Sequence, residues 1–120
     1  MSRVIKFRAW DGKEMQDYFE VTPEGTVSVW DSNRRASYEP FPEWILMQFT
    51  GLLDKNGEEI YEGDTVRWFV QLTHEIIIDV IEFDSGEFRT KDTGIRLRGF
   101  DTGNGTVLEV IGNLYQTPNL

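Results

Sequence analysis

The chain has 120 residues, enough for one domain whose core needs no disulfide or metal to hold it. It has no cysteine, which excludes disulfides and thiolate metal sites and fits a reducing compartment. Twelve basic and 21 acidic residues give a net charge of −9, which opposes non-specific nucleic-acid binding, since such binding needs cations that neutralise phosphates. No signal-peptide pattern and no apolar run of membrane length is visible, so we predict a cytoplasmic protein without membrane contact.

The first thirty residues alternate between apolar and polar side chains with a period of two, as β-strands do. In VIKFRAW, Phe7 and Ala9 share one parity, and the following Asp11-Gly12 pair favours a turn. Two more segments, EMQDYFEV and VSVW, are predicted as strands separated by the turn sequence TPEGT.

Residues 31–43 break this alternation and are predicted to form the longest loop, because they contain two prolines together with Ser, Asn and an Arg pair. Arg34 and Arg35 are candidates for binding a phosphate or a carboxylate, although such a loop pair is more often solvated. Tyr38 and Phe41 are candidate partner-binding aromatics because they lie in this proline-rich stretch.

The central segment predicts a strand followed by a tight hairpin. WILMQFTG is nearly all apolar, which is typical of a strand covered on both faces. Asn56-Gly57 favours a two-residue loop, in a register that places Leu53 opposite Ile60. A three-residue loop would place Leu53 opposite Glu59, a poorer match.

Four carboxylates follow this hairpin tip closely and raise the question of a hard-cation site. They are Glu58, Glu59, Glu62 and Asp64. Their spacing is not that of an EF-hand, and such a cluster more often forms a solvated face, so no metal site is predicted. His74 is the only histidine, which leaves no common zinc ligand set.

Catalytic motifs are equally scarce. Asp-Thr-Gly occurs at residues 92–94 and 101–103 and is the triplet of aspartic proteases, but neither copy follows an apolar strand, so both are interpreted as turns. No nucleophile elbow and no phosphate-binding glycine loop is present. The sequence therefore predicts no catalytic residue, no cofactor and a non-enzymatic protein.

The second half of the chain continues the strand pattern. TVRWFVQ, IIIDVIEF, EFRTK, IRLRGF and TVLEVIGNLY are each bounded by turn signals. Together with the N-terminal segments they make roughly eight or nine short strands, the pattern of a barrel or a sandwich.

A local basic strip interrupts the acidity of the chain around residues 92–94. It consists of Arg89, Lys91, Arg96 and Arg98. A turn with an even number of loop residues places all four cations on one face, and an odd number splits them. A shared face suits an anionic partner such as nucleic acid, whereas the preferred alternative is an edge hairpin protected from aggregation by charge.

Three blocks resemble the YopX family of phage and prophage proteins: IKFRAWD, MQFTGLLDKNGEEIYEGDTV and EVIGNLYQTPNL. They occur in family order and reach both ends of the chain. The resemblance implies an all-β fold, a small SH3-like barrel with additional N-terminal strands. It also implies a single domain over residues 1–120 with a barrel core at about 47–115, encoded by a phage and acting in a bacterial cytoplasm. It carries over no catalytic residue.

These observations leave three functional hypotheses. The first is a non-enzymatic, phage-derived β-barrel module that binds a host or phage macromolecule, preferably a protein, with Trp10 and Trp30 as further exposed aromatics. The second is a nucleic-acid-associated module that uses the strip Arg89–Arg98. The third, a hydrolase, is disfavoured for lack of an assembled site. Homo-oligomerisation stays open.

Overall fold

The computed structural model describes residues 4–25, 27–31, 37–41 and 44–116, and within them the predicted all-β class is confirmed. The strands in chain order are β1 Phe7–Trp10, β2 Met15–Gln16, β3 Glu20–Val21, β4 Val27–Asp31, β5 Ser37–Phe41, β6 Ile45–Leu53, β7 Glu59–Tyr61, β8 Asp64–Val70, β9 Glu75–Asp84, β10 Glu87–Thr90 and β11 Glu109–Asn113. A 3₁₀ helix, Leu97–Phe100, precedes β11. All strand pairs are antiparallel, which is compatible with the SH3-like barrel that the resemblance implies.

Contacts divide the described residues into two units. The smaller unit lies between Lys6 and Gln48, and the larger unit contains Val4, Ile5 and the residues from Phe49 onward. The single domain over 1–120, with its barrel core at about 47–115, stays a prediction.

In the smaller unit, β1 pairs with β2 and with the first half of β6, from Phe7↔Gln48 to Trp10↔Ile45. A separate sheet has the order β3-β4-β5. The predicted loop over residues 31–43 is wrong in part, because β5 lies within it and pairs with β4 along its full length. Pro40 is tolerated there since β5 is an edge strand, where a missing N–H need not break a ladder.

The larger unit is built on a sheet of order β10-β9-β8-β11, beside the pairing of β6 with β7. One side of this sheet carries the core, in which the rings of Trp68 and Phe100 meet edge to face at 4.9 Å. The buried core residues are Ile60, Val66, Trp68, Ile81, Leu97, Phe100 and Leu108.

The segment IRLRGF is not the strand that its composition predicts. Only Arg96 pairs, in an isolated bridge to Arg89, before the chain enters the 3₁₀ helix. Leu97 and Phe100 are three residues apart, and three residues make one turn of a 3₁₀ helix, so both side chains reach the core together. A strand would direct them to opposite faces.

The predicted register of the β6–β7 hairpin is also wrong. Leu53 lies opposite Glu59, and the amide of Asp54 donates to the carbonyl of Glu58 at 2.7 Å. The loop therefore has three residues, and Gly57 occupies its last position with a φ of +84°. This is the three-residue hairpin geometry, in which glycine supplies the left-handed conformation after a type I turn.

Gly105 provides a sharp test of packing beside this hairpin. Its φ is +118°, and an added Cβ would lie 3.2 Å from the carbonyl oxygen of Leu53 and 3.3 Å from that of Asp54. We expect Gly105→Ala to lower the free energy of unfolding by about 3 kcal/mol, since backbone strain and close contact add. Gly103→Ala is the matched control, because its φ is +93° but its Cβ would meet nothing within 4 Å. Equal losses for the two variants in urea unfolding would contradict the close approach.

Candidate functional site

Three aspartates of the larger unit are buried, with exposed fractions of 2% for Asp54, 1% for Asp64 and 4% for Asp79. Buried carboxylates need hydrogen-bond donors, and here backbone amides supply them. The Asp64 carboxylate accepts the amide of Tyr61 at 2.7 Å. These carboxylates therefore act as anchors for turns.

The Asp54 carboxylate joins two distant parts of the chain. Its Oδ1 accepts the amides of Asn56 and Glu58, both at 2.8 Å, within its own hairpin turn. Its Oδ2 accepts the amide of Val110 on β11 at 3.0 Å. This bond links residues 56 positions apart and favours the observed register, because it ties the hairpin turn to β11.

Asp79 anchors the turn after β10 in the same way. Its carboxylate accepts the amide and the hydroxyl of Thr93 at 2.9 and 2.8 Å, and the amides of Val80 and Asp92 at 2.7 and 3.2 Å. Burial raises the pKa of Asp79, but the hydrogen bonds from Thr93, Val80 and Asp92 together outweigh burial and leave this pKa below its ordinary value.

Both Asp-Thr-Gly triplets are turns, as predicted. Gly94 donates its amide to the Thr90 carbonyl at 2.9 Å, and Gly103 donates its amide to the Asp101 carboxylate at 2.9 Å. The part of the chain that the structure describes contains no group of three His, Cys, Asp or Glu residues placed to hold a metal. His74 is exposed in the β8–β9 turn.

The basic strip is only partly on one face. Four loop residues separate Thr90 from Ile95, an even number, and Arg89 and Arg96 lie directly opposite each other as that spacing predicts. However, Lys91 lies in the turn and Arg98 lies in the 3₁₀ helix, so strand alternation does not determine the face on which either side chain lies.

Carboxylates offset part of this positive charge. Arg89 Nη1 lies 3.4 Å from Asp84 Oδ2, and Arg96 Nε lies 3.2 Å from Glu87 Oε1. The exposed Lys91 and Arg98 make no ion pair with any residue that the structure describes. An anionic ligand would therefore meet two cations already in ion pairs and two that have none among the described residues.

The remaining predicted partner residues belong to the smaller unit or lie outside the described residues. Tyr38 and Phe41 belong to β5 in the smaller unit, a strand where a loop was predicted. Arg34 and Arg35 lie outside the described residues. Trp10, predicted to be exposed, is half-buried in β1.

Sequence reasoning missed the exposed apolar side of the β8–β9 hairpin. Phe69 is 54% exposed, Ile76 67% and Ile78 51%, and Val107, which lies before β11, is 50% exposed. We call these four residues the outer surface. Phe69 pairs with Ile76 in the ladder, so their side chains lie on the same face of the sheet, opposite the core. The sequence IIIDV indicates this apolar face, because alternation along a strand places Ile76 and Ile78 on the face opposite Ile77.

A groove of about 590 Å³ runs along part of this surface. Phe69, Ile76 and Val107 contribute its apolar lining, and Lys55 and Arg67 contribute cations. Charged and apolar groups therefore both line the groove, and contiguous exposed apolar residues are typical of protein-binding surfaces.

Glu109 fixes the two cations of the groove. Its Oε2 lies 3.0 Å from Lys55 Nζ, and its Oε1 lies 2.7 Å from Arg67 Nη2. The hydrogen bond from Lys55 and then that from Arg67 lower the pKa of Glu109 below its ordinary value. The carboxylate is therefore ionised at neutral pH and holds both cations at the groove wall.

Comparison with known proteins places the chain in a family. The family model described as YopX protein matches residues 6–120. Protein EF1440 from Enterococcus faecalis is similar in structure, with a TM-score of 0.60, 25% identity and 95% of each chain covered. Protein yopX from Bacillus subtilis shares the fold, with a TM-score of 0.63, 19% identity, and 92% of this chain and 93% of that chain covered.

No curated protein matches the sequence. Among the described residues, no helix is long and apolar enough to cross a membrane. The family model covers all but the first five residues, in agreement with the three sequence blocks that resemble the family. The chain belongs to the YopX family.

Proposed function

We propose that this chain is a non-enzymatic β module that binds a partner protein through the outer surface. The observation that carries the proposal is the exposure of Phe69, Ile76 and Ile78 on one side of a sheet whose other side holds the core. The exposed Val107 lines the same groove as Phe69 and Ile76. Burying apolar area of this kind is the main favourable term in protein association. A phage origin and a bacterial cytoplasmic setting, which the resemblance implies, belong to the same proposal.

The carboxylate geometry supports a non-enzymatic role. General acid–base catalysis needs a carboxylate that reaches a substrate, with a pKa near the working pH. Asp79 is buried among amide donors, and its pKa is shifted away from neutrality. Asp54 and Asp64 are likewise buried and accept backbone amides. These acids hold turns of the larger unit.

A nucleic-acid-associated role is the second candidate, and the opposition of Arg89 and Arg96 on one face favours it. The ion pairs with Asp84 and Glu87 count against it, because each leaves less charge for phosphate. If this role held, a labelled DNA or RNA oligonucleotide would bind with steep salt dependence, and Arg96→Glu with Arg98→Glu would abolish binding.

The leading proposal predicts that Ile76→Asp abolishes capture of a partner protein from lysate of phage-infected bacteria. A charge at the centre of an apolar interface costs about 2 kcal/mol or more in affinity, roughly thirtyfold or greater. Ile76 is 67% exposed, so the variant should unfold within about 0.5 kcal/mol of the parent.

Leu114→Asp is the matched control for this capture experiment, because Leu114 is also exposed, at 56%, but does not belong to the outer surface. Proteins retained by the parent and by the control, yet lost from Ile76→Asp, are the expected result. Identical captured proteins for all three chains would contradict the proposal.

A further inference from the structure

The groove contains a length of sheet edge that has no ladder partner. β8 pairs with β9 up to Val70↔Glu75. On its other side, β8 pairs with β11 only as far as Arg67↔Glu109. Beyond Arg67, therefore, β8 has a neighbouring strand on one side alone among the described residues.

The direction of the backbone groups along this edge follows from two hydrogen bonds. Val110 donates its amide to Asp54 Oδ2 at 3.0 Å, so its backbone points away from β8. Directions alternate along a strand, so Glu109 points toward β8 and its partner Arg67 points toward β11. Phe69, two residues further on, then directs its N–H and C=O into the groove.

The opposite side of β8 gives the same answer independently. The carbonyl of Val80 accepts the amide of Lys91 at 2.8 Å, so Val80 points away from β8. Its ladder partner Thr65 therefore directs its backbone groups to the β11 side, and Phe69 has the same parity as Thr65.

No described residue on the far wall of the groove pairs with these groups. A continued ladder would place Val107 opposite Phe69, but Val107 donates its amide to the Phe100 carbonyl at 3.2 Å. Within the described residues, the N–H and C=O of Phe69 thus have no ladder partner. An unpaired backbone beside exposed apolar side chains is a template for an added strand.

The charges of the groove indicate which strand would fit. Two cations and one carboxylate line it, so it is cationic in a chain of net charge −9. The side chain of Lys55 is 53% exposed and that of Arg67 is 36% exposed. An ammonium has three donors and a guanidinium five, and Glu109 occupies one on each. Spare donors of both cations are available to a second carboxylate.

We propose that the Phe69 edge takes up an extended segment of a partner protein as an added strand. Its apolar side chains contact Phe69, Ile76 and Val107, and a carboxylate of the segment contacts Lys55 and Arg67. The inference rests on the proposed protein-binding role and adds the mode of binding and the chemistry of the partner.

Amide hydrogen exchange of the free protein tests the edge itself. The amide of Phe69 should exchange at least about tenfold faster than those of Trp68 and Val70, which point toward β9 and are hydrogen-bonded in the ladder. Comparable protection at all three amides would overturn the proposal, because it would mean that the edge is already paired. Protection that rises with protein concentration would overturn it as well, in favour of a second copy as the occupant.

Three pools of eight-residue peptides then test the occupant. In every pool, alternate positions carry Val, Ile, Leu or Phe and the other positions carry Thr. The pools differ at one central position, which is Glu in the first, Gln in the second and Lys in the third. The Glu pool should slow exchange of the Phe69 amide at least about tenfold and bind about fivefold tighter than the Gln pool, with the Lys pool weakest. Equal binding of the Glu and Lys pools would overturn the assigned partner chemistry.

Two variants separate backbone pairing from side-chain contact. Phe69→Val keeps the N–H, whereas Phe69→Pro removes it without breaking a β8–β9 bond, as a proline on a sheet edge allows. The Pro variant should bind the Glu pool about tenfold more weakly than the Val variant. Equal binding of the Glu pool by the two variants, with NMR chemical-shift changes confined to Ile76 and Ile78, would overturn strand addition. It would leave the protein-binding role intact. That role fails separately, if Ile76→Asp captures the same proteins as the parent.

Discussion

Asp54→Ala is expected to lower the free energy of unfolding by about 4 kcal/mol, which would be the largest single effect of a polar substitution in the larger unit. The Asp54 carboxylate is 2% exposed, and its removal leaves the amides of Asn56, Glu58 and Val110 without an acceptor. Each buried orphan amide costs about 1–3 kcal/mol, and partial access of water to the turn keeps the sum below the maximum. The loss should appear in urea unfolding as a lower midpoint with little change in slope.

Asp101→Ala is the control for Asp54→Ala, because the exposed Asp101 accepts one turn amide, that of Gly103, at 2.9 Å. It should cost no more than about 1 kcal/mol. The loss of unfolding free energy for Asp54→Asn should lie between those for Asp54→Ala and Asp101→Ala. The amide oxygen of Asn replaces one carboxylate oxygen, but its NH₂ group would face a backbone N–H. A loss below 1 kcal/mol for Asp54→Ala would show that the carboxylate does not set the hairpin register.

Asp79→Asn is expected to cost about 3 kcal/mol at pH 7, and this cost should shrink as the solution is acidified. The pKa of Asp79 is lowered in the folded protein, because hydrogen bonds from Thr93, Val80 and Asp92 outweigh burial. A lowered folded pKa means that ionised Asp79 stabilises the fold above its ordinary pKa of about 4, and that this stabilisation is lost as the pH falls through the folded value.

Denaturation of the parent and of Asp79→Asn at several pH values from 7 to 2.5 measures this linkage. The two unfolding free energies should converge toward the acid end. Thr93→Val provides a partial control, because it removes the hydroxyl donor at 2.8 Å and keeps the amide donor, and it should cost about 1 kcal/mol. A gap between Asp79→Asn and the parent that stays constant with pH would mean that the charge of Asp79 does not hold the turn.

Local residue patterns were enough to locate the longer strands among the described residues. The segments 45–53, 64–70 and 75–84 fold as strands where an apolar run, alternation and β-branched residues predict them. These patterns are local properties, and each of these strands is set by its own side chains and the turns beside it.

The failures have non-local causes. Cross-strand neighbours favour a two-residue hairpin loop, but the hydrogen bond from Val110 to Asp54, 56 residues away in sequence, favours the observed three-residue loop. Leu97 and Phe100 leave the strand pattern because both side chains enter one core, which sequence spacing alone does not reveal. Pro40 predicts a loop because proline has no N–H for a ladder hydrogen bond, but the edge position of β5 does not require that bond.

The candidate site was the least predictable feature. Which face of β8–β9 is covered depends on the elements that pack against it, so Ile76 and Ile78 could have been core residues as far as composition shows. The basic strip was visible because its four cations are close in sequence, yet the partners Asp84 and Glu87 emerge only from the folded hairpin. Tyr38 and Phe41 are aromatic and lie in a proline-rich stretch, so the sequence predicts them as partner residues in place of the outer surface.

Site-specific photo-crosslinking tests the central claim, that the outer surface is where a protein binds. A benzophenone amino acid at position 69, expressed in phage-infected bacteria and irradiated, should form an adduct with a partner protein. The same residue at position 18 is the control, because Tyr18 is 87% exposed in the smaller unit. A protein adduct from position 69 and none from position 18 is the predicted result. Adducts of equal yield from both positions, or none from position 69, would contradict it.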